Sequence, residues 1–232
     1  MAVHLAALEV DACSPGALAE FWSRLLDRDL HPGADLPGRS DPDFSLRFVL
    51  TDVPKSALHR MHVDLTSSSA EDQQRTVELA LHLGARHLDV GQRGDEGHVV
   101  LADPEGNEFC VIPAGNAFLA GAARIGALAG DGPPEVGRFW SQALSWPLVW
   151  DQDGETAIQS PRGGTKLTWG GPSVAPKHGR NRLRWVLETD SSPGPEAARL
   201  LELGAAVVST DAERVELADP GGNEFILARA RP

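Results

Sequence analysis

Residues 101–111 read "LADPEGNEFCV", and residues 217–227 read "LADPGGNEFIL". In each copy the turn segment, "DPEG" or "DPGG", has Asp first, Pro second and Gly fourth, the order that a tight turn favours. Strand-like runs flank it: "HVVLAD" before and "NEFCVI" after in the first copy. A chain that encodes one strand–turn–strand element twice is built from a duplicated unit. Each copy also places one acid, Glu108 or Glu224, at the start of its second run. Whether that acid is a ligand or a structural group is the first question the sequence raises.

Other phrases recur in the same order. "AEFWSRLL" at 19–26 returns as "GRFWSQAL" at 137–144, and "LHLGA" at 81–85 returns as "LELGA" at 201–205. "HRMHVDL" at 59–65 aligns with "NRLRWVL" at 181–187. The offsets run from about 116 to 122, a period near 118 that is far too long for a solenoid. The small, Gly/Ala-rich seam "IPAGNAFLAGAARIG" at 112–126 reads as a linker. Two domains are expected, 1–116 and 122–232.

Within repeat one, residues 3–10 are strand-like, and Leu18, Phe21, Trp22, Leu25 and Leu26 follow helical spacing behind Pro15. "FSLRFVL" at 44–50 is strand-like. In 59–66, Met61, Val63 and Leu65 alternate with His62, Asp64 and Thr66, as in a strand with one buried face. Ser68 and Glu71 have capping-box spacing, and Gly84 suits a helix C-terminus. Repeat two follows the same plan.

The bulk properties exclude several classes. At 232 residues, 41% hydrophobic and 23% charged, the chain can bury a core or two. A net charge of −12 argues against nucleic acid and against an anionic membrane surface. No apolar run reaches the roughly 18 residues of a membrane span, and the N-terminus does not read as a signal peptide. A cytoplasmic protein with Cys13 and Cys110 as free thiols is expected. There is no tyrosine. Seven of eight His precede residue 118 and five of six Trp follow it, so the two halves have diverged chemically.

The repeated "FW", "HRMHVDL", "LGA" and "ADPEGNEFCV" elements resemble the vicinal oxygen chelate superfamily, in its glyoxalase-like and bleomycin-resistance-protein-like branch. The resemblance implies an α+β fold: tandem domains, each of two βαβββ modules, with curved mixed sheets enclosing a cavity. It leaves the reaction open, because the superfamily includes isomerases, dioxygenases and metal-free drug binders.

In metal-dependent members the final-strand ligand is a Glu four residues after the turn glycine. Here that place holds Cys110 in one copy and Ile226 in the other, and Glu108 and Glu224 fall two residues earlier. His62 occupies a strand position that bears a ligand in such members, with Asp64 two residues on; the pair is either an oriented base or a structural hydrogen bond. Arg184 is the counterpart of His62 in repeat two and suits a ligand carboxylate or phosphate. Trp150 and Trp169 are candidates for an aromatic wall. Glu108, Glu224 and Cys110 complete the candidate binding set.

The reading that follows is a binder of a small aromatic or charged organic molecule, with no metal or other cofactor. The alternative is a metal-dependent lyase, isomerase or dioxygenase using His62. Its divalent ion would bind in the first domain only, on His4, His62 and Cys110. A monomer or weak homodimer is expected, since duplication supplies the interface internally.

Overall fold

The computed structural model describes residues 3–39, 42–92, 97–170 and 176–230. Four modules follow one another along the chain. The first is β1 (His4–Ala12), α1 (Pro15–Leu26), β2 (Asp35–Leu36) and β3 (Ser45–Leu50). The second is β4 (Met61–Leu65), α2 (Ala70–His82), β5 (Arg86–His87), β6 (Val99–Ala102) and β7 (Glu108–Val111). The third is β8 (Ile125–Asp131), α3 (Pro134–Leu144), β9 (Leu148–Gln152), β10 (Glu155–Ser160) and β11 (Gly163–Gly170). The fourth is β12 (Leu183–Thr189), α4 (Pro193–Glu202), β13 (Ala206–Thr210), β14 (Arg214–Ala218) and β15 (Glu224–Arg229).

The modules pair outside with outside and inside with inside. The first and fourth form a seven-stranded sheet, β13-β14-β15-β12-β1-β3-β2; the second and third form an eight-stranded sheet, β5-β6-β7-β4-β8-β11-β10-β9. Antiparallel pairs join the modules, β1 with β12 and β4 with β8. Within each module the first strand lies parallel to a later one, so a helix crosses one face of each sheet. Each sheet therefore draws one module from either repeat.

Local chemistry explains the elements. β4 alternates as expected: Met61, Val63 and Leu65 are buried on the helix side, and His62 and Asp64 face away. Pro15 sits in the first turn of α1, where its missing N–H costs nothing. The α1 entry is held from a distance: the Glu105 carboxylate accepts from Cys13 N at 2.8 Å and Ser14 N at 2.7 Å. The cap of α2 lies one residue later than the Ser68–Glu71 spacing predicts. Ser69 accepts from Asp72 N, and Asp72 accepts in return from Ser68 N at 2.8 Å. The repeated "LGA" ends α2 and α4, with Gly84 at φ +108° and Gly204 at φ +110°, where a side chain would be strained.

The repeated "FW" and "NEF" phrases meet in the core. Trp22 packs edge-on to Phe109 at 5.2 Å, and Trp140 packs edge-on to Phe225 at 4.8 Å. On the opposite faces of the sheets the polar residues collect.

Candidate functional site

The repeated acid phrase is a structural knot. Asp103 Oδ1 accepts from Glu105 N and Asn107 N, and its Oδ2 accepts from Asn107 Nδ2 and from the Trp22 indole at 3.2 Å. Asp219 repeats the pattern, taking the Trp140 indole at 3.0 Å. The Asp thus closes its own turn and ties it to the helix of another module. Burial pushes both carboxyl pKa values up, against the pull of these bonds. Glu108 and Glu224 are buried and salt-bridged to Lys55 and Lys177.

On the eight-stranded sheet, the face away from the helices brings His62, Asp64 and Cys110 together. Asp64 and Cys110 are register partners on β4 and β7. His62 Nε2 lies 3.4 Å from Asp64 Oδ1, and one ligand atom from each of the three residues lies within 4.8 Å of the others. Burial alone would lower the His62 pKa, but Asp64 and then Cys110 outweigh it and hold it well above the ordinary imidazole value. Burial pushes the Cys110 thiol up, so it is not an activated nucleophile. Across from them, β8 offers only Ala129 and Ala127. Trp150, paired with Ala157, lies on this same face and meets Phe118 edge-on at 5.5 Å. Trp169 lies on the other face, beneath α3, and stacks on Trp140.

The corresponding face of the seven-stranded sheet is filled by ion pairs. Arg184, 1% exposed, grips Asp11 through two nitrogens at 2.6 and 2.9 Å. Arg214 grips Glu9 likewise at 2.6 and 3.0 Å, and Arg180 bridges Asp11 and Glu216. Such forked pairs satisfy both partners and leave Arg184 engaged within the protein. Ile226 packs with Ala7 and Val186. His4 is on this sheet, exposed, 3.9 Å from Glu188. The expected trio His4, His62 and Cys110 is therefore split between two sheets. Asp64 takes the place of His4 in the group that does assemble, because i and i+2 on one strand share a face.

Between the two sheets lies a cleft of about 620 Å³. Its walls are the loops that carry the chain from one sheet to the other, 51–60 and 176–182, with Asp11, Met61 and Leu183 beneath. The loops are matched by the duplication: Lys55 corresponds to Lys177, His59 to Asn181 and Arg60 to Arg182. Arg60 donates to Gly221 O at 3.0 Å and Arg182 to Glu105 at 2.7 Å, so each repeat's arginine holds the other repeat's turn. His59 lines the cleft, with Nδ1 3.2 Å from Glu108 Oε2. Burial first, then Lys55 and Arg182, lowers its pKa to about 4 despite Glu108.

Sequence reading passed over Lys55, Lys177, Arg180, Arg182, Glu9 and Asp11. One signal was present: extending the "HRMHVDL" alignment four residues upstream pairs Lys55 with Lys177. Glu9 and Asp11 carry no such signal, because their partners lie far along the chain.

The comparisons agree with this architecture. A family model described as a glyoxalase-like domain matches residues 7–112 and again 127–228. Glyoxalase I from Zea mays has a TM-score of 0.68 at 11% identity, over 98% of this chain and 92% of that one. A putative dioxygenase from Bacillus subtilis subsp. subtilis str. 168 has a TM-score of 0.63 at 9% identity, over 99% and 86%. At such identities the likeness is one of fold. The comparison with curated proteins returns no match. No helix among the described residues is long and apolar enough to cross a membrane. Matched by the same family model in both repeats and folded as four paired modules, the chain belongs to the glyoxalase-like domain family of the vicinal oxygen chelate superfamily.

Proposed function

We propose that this protein binds a small organic molecule in the cleft between its two sheet-joining loops, without a metal. The observation that carries this reading is the cleft itself: about 620 Å³, within the range of ligand sites, and walled by side chains from both repeats. The ion-paired face around Arg184 supports it further, since that surface is already satisfied internally. A broad metabolite and antibiotic library, screened by thermal shift, tests the reading. At least one compound should raise Tm, and Ala57→Phe, which puts an aromatic ring into the cleft, should abolish or reduce the rise. A library without hits, or hits that Ala57→Phe leaves unchanged, overturns it. The chain is proposed to act as a monomer or weak homodimer in the cytoplasm; a stable tetramer by light scattering counts against the oligomeric part.

A second reading rests on His62, Asp64 and Cys110. An imidazole, a carboxylate and a thiol within 4.8 Å suit a divalent ion, zinc by ligand type, and all three lie in repeat one. Three protein ligands facing two alanines would leave one side open for substrate. When bound there, an ion would supply Lewis-acid chemistry. Elemental analysis of tag-free protein decides: stoichiometric metal, lost in His62→Ala, favours a metal-dependent lyase, isomerase or dioxygenase over the binder.

A further inference from the structure

The two lips of the cleft descend from one duplicated loop, yet they differ in the residues turned toward it. Repeat one lines the cleft with exposed Val53, Pro54, Ser56 and Leu58 and, less exposed, with Lys55, His59 and Arg60; Val53 is 64% exposed and Leu58 is 55% exposed. At the positions of Ser56 and Leu58, repeat two presents His178 and Arg180, beside Lys177. Both lips carry the duplicated lysine and arginine, but the exposed part of repeat one's lip is largely apolar where that of repeat two is cationic.

The cationic lip keeps donors in reserve. Arg180 uses Nε for Glu216 and Nη1 for Asp11, leaving Nη2 outside both pairs, and its side chain is 46% exposed. Lys177 engages Glu224 with one of its three donor positions. The acids that balance these cations, Glu216 and Glu224, do not line the cleft; among the described lining residues only Asp11 is acidic, and Arg184 and Arg180 hold it. A group entering the cleft meets cations first. The chain's net charge of −12 opposes this only at long range, because salt screens charges beyond about 8 Å.

We infer that the cleft takes an organic anion with an apolar body: the carboxylate, sulfonate or phosphate on Lys177, His178 and Arg180, the apolar part on Val53, Pro54 and Leu58. This rests on the cleft being the ligand site proposed above.

Four probes test the charge and the body separately by calorimetry at physiological salt: naphthalenesulfonate, naphthylmethanol, naphthylmethylammonium and sulfate. Naphthalenesulfonate should bind most tightly. Arg180→Gln and Val53→Asp should each weaken it by about tenfold or more, the loss expected for a charge-assisted contact removed or a like charge introduced at the rim. Both sites are exposed enough for the variants to fold, which unchanged circular dichroism confirms. Val207→Asp, on the exposed edge strand β13, should leave binding as it was. Equal or tighter binding of the ammonium compound overturns the anion assignment while the cleft stands as a binding site. Sulfate binding as tightly as naphthalenesulfonate overturns the apolar half. Silence from all three organic probes overturns the whole assignment, whereas the binding reading itself falls only to the wider library and Ala57→Phe.

Discussion

The indole Nε1 of Trp22 donates to Asp103 Oδ2 at 3.2 Å, joining residues 81 positions apart, and Trp140 does the same for Asp219 at 3.0 Å. The carboxylate that receives the indole is the one that closes the "DPxG" turn, so helix, turn and strand are fixed at a single buried atom group. Asp103→Ala removes all four of its bonds and strands the Trp22 N–H. A loss of about 3–5 kcal/mol is expected in urea melts. Trp22→Phe and Asp103→Asn together should show coupling of roughly 1 kcal/mol in a double-mutant cycle; additivity would mean the bond carries no net stability.

His59 sets a pH dependence. Its folded pKa is about 4, below the ordinary 6.5, so the unfolded chain takes up a proton that the folded chain refuses. Stability should fall as pH drops from about 6.5 to about 4, by up to roughly 3 kcal/mol, and this contribution should level off below that. The His59→Asn variant, which copies Asn181 of repeat two, should lose this slope. The same slope in both proteins would show that His59 is not its source.

Arg184 is more consequential for folding than its charge suggests. Arg184→Met leaves Asp11 and Glu9 buried beside an apolar chain, and about 3–5 kcal/mol should be lost. Pairing it with Asp11→Leu should recover part of that loss. Chemical denaturation of both variants measures the difference; a loss under about 1 kcal/mol for the single variant would mean the network is open to water.

Gly137 marks a close approach of α3 to its sheet. A Cβ there would lie 2.1 Å from Thr156 Oγ1 and 2.6 Å from Thr156 Cβ. Helix propensity favours Ala over Gly by about 1 kcal/mol, but overpacking costs about 1–3 kcal/mol. Gly137→Ala should therefore lower Tm, and Thr156→Gly in the same chain should restore the helical gain.

Much of the fold is legible along the chain. The 59–66 alternation, the "DPxG" turn and the "LGA" helix end are local patterns, and each is found where its period or turn chemistry puts it. The partners of these elements are not local. Nothing in "NRLRWVL" says that Arg184 will meet Asp11, 173 residues away, rather than a ligand. Cys110 and Asp64 become neighbours only because β4 and β7 lie parallel in one register. Trp150 and Trp169 look alike in sequence, yet cross-strand pairing sends one to each face of the sheet. The cleft is hidden for the same reason: its two lips are recognisable as duplicates, but only the module exchange sets them opposite each other.

That exchange also governs the order in which the protein can be completed during synthesis. β4 finds β8 as soon as residues near 130 emerge, and the eight-stranded sheet can close early. β1 must wait for β12, with His4 opposite Glu188. At roughly 5–20 residues per second, that is about ten seconds or more of translation. Through that interval one edge of β1, a strand with Leu5, Leu8 and Val10 in it, stays open beside the ribosome. The early sheet forms from the middle of the gene outward, and the last strands to appear rescue the first.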